Sequence, residues 1–193
     1  MQPTILSSDN IHQLCRTAQP MISPFYFNTT HVQGKKVCSY GLQESSYDVT
    51  LSPFVQRFNK DRLPDGAVLS VEDTEVLTQC LEQEDLTEAG YLVLQPGEFV
   101  LGLTNEHFEM PDNVTGFLNC KSSLARLGMN MPYTTIKAGW KGYLVLEIQN
   151  TNSLPIALKI NEGIGSIFFH WMDDKVTYNG QFQNQDKIQV TGK

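Results

Sequence analysis

Apolar and polar residues alternate with a period of two in "SYDVTLS" (46–52), "GYLVLEIQN" (142–150) and "LPIALKI" (154–160). Short apolar or alternating runs recur in "GYLVLQPGEFVLGLT" (90–104), "GFLNCKSS" (116–123) and "IGSIFFHWM" (164–172). Successive side chains of a strand stand on opposite faces, so these runs predict strands, and the Gly, Pro, Asn and Asp between them predict turns. Helical signals stand out in two places. Ser, Asp and Asn precede Ile11, Leu14 and Cys15 and predict a helix over about residues 9–16, and a second short helix is predicted to start around Ser122 to Arg126. The stretch "SVEDTEVLTQCLEQEDLTEAG" (70–90) is the most acidic and predicts a solvated excursion or surface helix. Taken alone, the polar tail "DDKVTYNGQFQNQDKIQVTGK" (173–193) has the composition of a loose C-terminus. Many short strands separated by turns predict a mainly β fold, a distorted β-barrel or jelly-roll with a few short helices. No repeat, low-complexity tract or linker divides residues 1–193, which read as one domain.

Composition narrows the classes of function. Hydrophobic residues make up 40% of the chain and charged residues 18%, enough apolar content for a packed core and unlike a disordered chain. Fourteen Lys and Arg against 21 Asp and Glu give a net charge of -7. That balance disfavours a nucleic-acid polymer or an anionic membrane as partner, since both require a positive surface. No apolar run approaches the roughly 20 residues of a membrane span, and "MQPTILSSDN" lacks the charged and apolar regions of a signal peptide, so a cytoplasmic location is expected. Cys15, Cys38, Cys80 and Cys120 form no CxxC, and His12, His31, His107 and His170 are equally scattered. Neither a zinc site nor a Cys–His nucleophile is therefore expected, and the cysteines read as reduced structural thiols. His170, inside "IFFHWM", reads as a core histidine, and Asn28 before Thr29 and Thr30 as a formal glycosylation match without a secretory context.

Two features carry candidate chemistry. Strand geometry puts Tyr143, Val145, Glu147 and Gln149 on one face of "GYLVLEIQN" and Leu144, Leu146 and Ile148 on the other, so Glu147 interrupts a nearly continuous apolar run. A carboxylate in such surroundings takes a cationic or hydrogen-bonding partner or binds a proton, which is the environment of a general base; alternatively it ends in solvent or in a plain ion pair. The second feature is "KSSLAR" (121–126). At a turn into a helix, its first amides, the Ser122 and Ser123 hydroxyls, Lys121 and Arg126 could surround an anion such as phosphate; alternatively the serines only cap the helix and Arg126 lies on the surface.

Together, "SYDVTL", "LQPGEFVLGLTNEHFEMPDNVTGFLNCKSSLARLG", "TTIKAGWKGYLVLEIQN" and "LPIALKINEGIGSIFF" resemble, in order and spacing, the dCTP deaminases of the dUTPase-like superfamily. The N-terminal "ILSSDNI" and the tail "TYNGQFQNQ" are similar to that family's ends, so the resemblance spans almost the whole chain. It implies a distorted barrel or jelly-roll subunit in a homotrimer, with active sites shared between neighbouring subunits. The implied reaction converts dCTP to dUTP and ammonia without zinc, and magnesium is carried on the substrate's phosphates. Glu147 would be the general base that activates water for attack on cytosine C4, with Ser122 and Arg126 positioning water and base. Lys121 would contact phosphate. Ser123, Thr134, Thr135, Lys137 and Trp140 are further candidate nucleotide contacts, and Tyr178, Gln181 and Gln185 fall in a tail, residues 175–193, that would cover the nucleotide.

The chain also departs from that family. "TTIKAGW" lacks two residues of the usual loop and carries Lys137 where the family has Asp, Thr135 replaces a usual Ala, and Cys120 replaces a usual Gly. The missing Asp is associated with the deoxyribose and, in dUTP-hydrolysing relatives, with the attacking water. Two other readings stand beside deamination. One is a pyrophosphatase acting on dUTP or dCTP, or an enzyme that both deaminates and releases pyrophosphate, and Lys137 argues against it because the hydrolytic relatives rely on the Asp absent here; the other, motivated by the shortened loop and Lys137, is a nucleotide-binding protein that has lost its chemistry on the same scaffold.

Overall fold

The structure is a computed structural model and describes residues 4–63 and 65–190. The last three residues of the expected covering tail, 191–193, lie outside the described residues. Helix α1 (Ser8–Cys15) begins one residue earlier than predicted, because Ser7 and Asn10 form a reciprocal capping box at its start. Strands β1 (Ile22–Ser23), β2 (Thr29–Val32), β3 (Lys35–Leu42), β4 (Tyr47–Thr50) and β5 (Phe54–Phe58) follow. Helix α2 (Thr74–Cys80) runs into β6 (Leu81–Asp85), after which come β7 (Tyr91–Leu94), β8 (Phe99–Glu109) and β9 (Val114–Cys120). Helix α3 (Ser122–Ala125), β10 (Met129–Asn130), β11 (Thr134–Ile136), β12 (Lys141–Asn150), β13 (Ile156–Lys159) and β14 (Gly163–Trp171) complete the regular elements.

The strands form two mixed-order sheets and a ribbon. One sheet runs β10-β12-β8-β5-β6, with β1 also paired to β8; the second runs β11-β9-β14-β4-β3-β2; β13 and β7 form the ribbon. One apolar cluster draws on both sheets, including Tyr47, Val49, Phe108, Leu146, Ile148, Ile167 and Phe169. In β12 burial follows the alternation read from the sequence: Leu144, Leu146 and Ile148 are buried while Tyr143, Val145, Glu147 and Gln149 are half-buried on the other face.

The expected barrel does not close. Leu51, just after β4, bridges Thr104 of β8 and joins the sheets at one place. Between β11 and β12 the only link is a side-chain contact, Thr134 Oγ1 donating to Glu147 Oε2 at 3.4 Å, among the described residues. Each strand keeps an unpaired edge there: β11 ends its sheet with β9 as its one partner, and β10 reaches β12 only at Gln149 and Asn150, leaving Glu147 paired on the β8 side alone among the described residues. A gap is therefore left beside Glu147.

The acidic stretch is also different from its expectation, since only its middle is helical. Residues 81–85 form a strand against β5, with Glu84 paired to Arg57 at 2.7 Å and Glu82 to Arg62 at 3.0 Å. The hairpin of β2 and β3, and β5 itself, were not legible as strands. Burial pushes the thiols of Cys15 and Cys120 up to about 12 and about 11, and that of Cys38 upward, in keeping with unreactive structural cysteines. No helix among the described residues is long and apolar enough to cross a membrane.

Candidate active site

The corner between β11 and β12 is built by "KAGWKG". Gly139 has φ +72 and Gly142 φ +142, and a Cβ on Gly142 would lie 2.7 Å and 2.8 Å from the backbone O and N of Gln185. A glycine is required there because the tail backbone lies directly against the strand. Trp140 Nε1 donates to Phe182 O at 2.7 Å, and Tyr143 N–H donates to Gln185 O at 2.9 Å. Gln183 accepts from Lys141 N–H at 2.8 Å and donates to Gly139 O at 2.9 Å, while Gln185 Nε2 donates to Tyr143 O at 3.1 Å. Up to residue 190 the tail is docked, which corrects the loose C-terminus expected from its composition. Gln183 and Gln185 serve the backbone of the corner and of β12.

Beneath the tail lies a cavity of about 430 Å3. Thr134, Thr135, Lys137 and Trp140 line it from β11 and the corner, Val145 and Glu147 from β12, and Phe58, Phe99 and Leu101 from β5 and β8. Tyr178, Phe182, Gln185, Gln189 and Val190 close it from the tail. The cavity occupies the gap where the barrel stays open. Glu147 is half-buried in it with Thr134 as hydrogen-bond partner. Lys137 holds its ammonium 5.3 Å from the centroid of the Tyr178 ring, and none of the ion pairs among the described residues involves Lys137. An acid and an uncommitted cation thus share one enclosure with an apolar floor, an arrangement that can orient a polar heterocycle and an anion.

Of the predicted site residues, the cavity brings together Glu147, Thr134, Thr135, Lys137, Trp140, Tyr178 and Gln185. It does not include Lys121, Ser122, Ser123, Arg126 or Gln181. Within one chain α3 faces elsewhere: its Leu124 lines a second cavity with Lys35, Lys36 and Cys38. Lys121 is the N-cap residue and provides no side-chain cap, so the serines of α3 are not capping residues. Ser122 and Arg126 are exposed. Lys121 is paired instead with Asp48, their side chains only 12% and 5% exposed, and Asp48 also accepts from Ser166 Oγ.

A residue missed in the sequence is Glu106. It is fully buried on β8, where Thr50 donates to it from N–H at 3.0 Å and from Oγ1 at 3.0 Å. Burial pushes its carboxyl up to about 7, while the Thr50 bonds hold it down. The alternation of "LTNEHFEM" carried the signal, since Thr104, Glu106 and Phe108 fall on one face. Phe58, Phe99 and Leu101 were missed for another reason: they lie on the face of their strands away from the core. No group of three or more His, Cys, Asp or Glu among the described residues is placed to hold a metal ion.

The fold and this cavity define a mainly β protein whose pocket sits at an open sheet margin under a docked C-terminal segment. Comparison with known proteins narrows that class. A dCTP deaminase of Protochlamydia amoebophila (strain UWE25) is 31% identical over 187 residues, covering 93% of this chain and 95% of that protein. A dCTP deaminase of Campylobacter jejuni (serotype O:2) is 31% identical over 190 residues, covering 95% of each. The crystal structure of the 2'-deoxycytidine 5'-triphosphate deaminase from Agrobacterium tumefaciens matches with a TM-score of 0.61 at 23% identity, over 87% of this chain, which spans about half (48%) of that longer one. The dCTP deaminase-like family model matches residues 5–172, and the chain belongs to that family.

Proposed function

We propose that this protein catalyses hydrolytic deamination of dCTP to dUTP and ammonia in the cytoplasmic nucleotide pool, with Glu147 as general base. The observation that carries the reading is the position of Glu147, half-buried in a cavity that residues of the β11–β12 corner, strand β12 and the tail enclose together. Cytosine lies with C4 toward Glu147, which takes a proton from the attacking water and passes it to the leaving amino group. Thr134, hydrogen-bonded to Glu147, fixes the carboxylate's orientation. Thr135 and Trp140 shape the pocket, Lys137 meets the sugar–phosphate side, and Tyr178 and Gln185 hold the nucleotide under the tail. Gln181, exposed on the tail, lies near enough in sequence to join them when the phosphates are bound.

Ser122 and Arg126 complete the site from a neighbouring subunit of a homotrimer, with Lys121 and Ser123 in the same wall. Two observations support this. Within one chain the acid and α3 do not share a cavity, and the two side chains at issue are exposed without partners among the described residues. Beyond the cavity, the outward face of the first sheet also carries apolar side chains: Leu103 is half-buried there and Phe54 is 45% exposed. A sheet face of that kind calls for a cover, and a closed ring of copies provides one. Magnesium enters as part of the substrate, on the triphosphate, so the chain supplies no ligand set and the water is activated without zinc.

The test is direct. Incubation with dCTP and magnesium should release ammonia and dUTP in equal amounts, and Glu147→Gln should lower kcat by at least about a hundredfold, the lower range of a general base's contribution, at an unchanged melting temperature. Absence of turnover, or a Glu147→Gln enzyme as fast as the parent, would refute it. Lys137 in the family's Asp position favours a second reading, a nucleotide-sequestering protein, which predicts tight dCTP binding with no product. Release of pyrophosphate would instead mark a pyrophosphatase.

A further inference from the structure

The cavity is more apolar on one side of Glu147 than an unsubstituted cytosine requires. Leu101 stands directly across the β8–β12 ladder from Glu147 and is 5% exposed. Val145 precedes the acid by two residues on the same face, and the rings of Phe99 and Phe58 continue the wall with centroids 5.9 Å apart. On the other side stand Thr134, whose hydroxyl reaches Glu147, then Thr135, the buried Ile136 and Lys137, so that this flank carries hydroxyls and an ammonium. The acid therefore separates a polar flank from an apolar one, and all these groups belong to one chain and one cavity.

A pyrimidine has the same asymmetry. With C4 at the acid, the ring presents N3 and O2, both acceptors, along one edge and the C5 and C6 carbon–hydrogen groups along the other. Only one placement avoids burying N3 without a donor: N3 toward the polar flank, where the Thr135 hydroxyl and the Lys137 ammonium have no hydrogen-bond acceptor among the described residues while the Thr134 proton is held by Glu147, and C5 toward Leu101, Val145, Phe99 and Phe58.

We infer that this pocket accepts a pyrimidine carrying an apolar substituent at C5, and that the enzyme deaminates 5-methyl-dCTP directly to dTTP. The inference rests on the deaminase reading above and extends it to a second substrate class. Water adds at C4, the C4–N bond breaks, ammonia leaves with the proton relayed by Glu147, and the C4 carbonyl of thymine remains; no oxidant or reductant takes part. The methyl group meets the apolar wall, which makes 5-methyl-dCTP at least as good a substrate as dCTP, up to about tenfold better by the worth of one buried methyl in a pocket. A 5-hydroxymethyl group places a hydroxyl against the same four side chains without a partner and is disfavoured relative to methyl.

The experiment compares kcat/KM for dCTP, 5-methyl-dCTP and 5-hydroxymethyl-dCTP with the purified full chain, following ammonia and separating dUTP, dTTP and the hydroxymethyl product. The expected order is methyl equal to or above unsubstituted, with hydroxymethyl at least about tenfold below methyl. Phe99→Trp and Val145→Ile narrow the wall and should each lower the ratio of 5-methyl-dCTP to dCTP turnover; a ratio taken within one preparation is independent of how much of a variant folds. A parent enzyme that turns over dCTP but uses 5-methyl-dCTP less than one-third as well overturns the inference and leaves the deaminase reading standing. So does a preference for hydroxymethyl over methyl, or a ratio that neither variant moves. Failure to deaminate dCTP at all overturns both.

Discussion

Replacing Gly142 by Ala should undo the docking of the tail while leaving the core intact. The added Cβ would sit 2.7 Å from Gln185 O and 2.8 Å from Gln185 N, both backbone atoms that cannot swing aside, at a φ of +142 that side chains rarely adopt. To relieve the clash the tail must retreat by most of an ångström. Three hydrogen bonds depend on that approach: Tyr143 N–H to Gln185 O at 2.9 Å, Asn184 N–H to Lys141 O at 2.9 Å, and Gln185 Nε2 to Tyr143 O at 3.1 Å. At a net worth of about 1 kcal/mol each, their loss costs about 3 kcal/mol, or roughly 150-fold in the ratio of docked to undocked tail. Amide hydrogen exchange at Tyr143 and Asn184 should accelerate by that order, and KM for dCTP should rise while the melting temperature moves by only a few degrees. Unchanged exchange at those two amides would refute the argument that the glycine exists to admit the tail.

Two further outcomes follow from buried charges. Glu106 titrates near 7 when folded and near 4.5 when free, so between those values the folded state keeps a proton that the unfolded chain has released. Stability therefore declines by about 3 kcal/mol as pH rises from 4.5 to 7 and is level above, and Glu106→Gln should remove that decline in denaturant titrations across the range. Lys121→Ala strands Asp48, 5% exposed, without its cation and should cost about 3–5 kcal/mol, read as a melting temperature roughly 10 °C lower. Pairing it with Asp48→Asn should restore more than half of the loss.

The legible parts of this fold are those where one face of a strand meets the core. In β12 and β8 the alternation named both the strand and the half-buried acid, because burial of every second residue leaves a period-two trace. Strand β6 was illegible because its acids are satisfied across the sheet by Arg57 and Arg62, partners far away in sequence. Glu106 was overlooked beside Glu147 although both interrupt similar runs; only the second sheet, delivering Thr50, decides which acid is fully enclosed. The tail's glutamines looked like those of a solvated terminus, and their role depends on backbone groups exposed at the β12 corner. The separation of α3 from Glu147 is a property of three dimensions that no spacing encodes, and it is what turns the site into a question about subunits.

That question has a decisive measurement. Glu147→Gln and Arg126→Ala, each inactive alone, are unfolded together, refolded as a mixture of equal parts and assayed with dCTP. If the acid of one subunit works with the arginine of the next, random assembly regenerates intact sites and about a quarter of parental activity returns. If acid and arginine act within one chain, the mixture stays as inactive as its components, and the account of a shared site is contradicted.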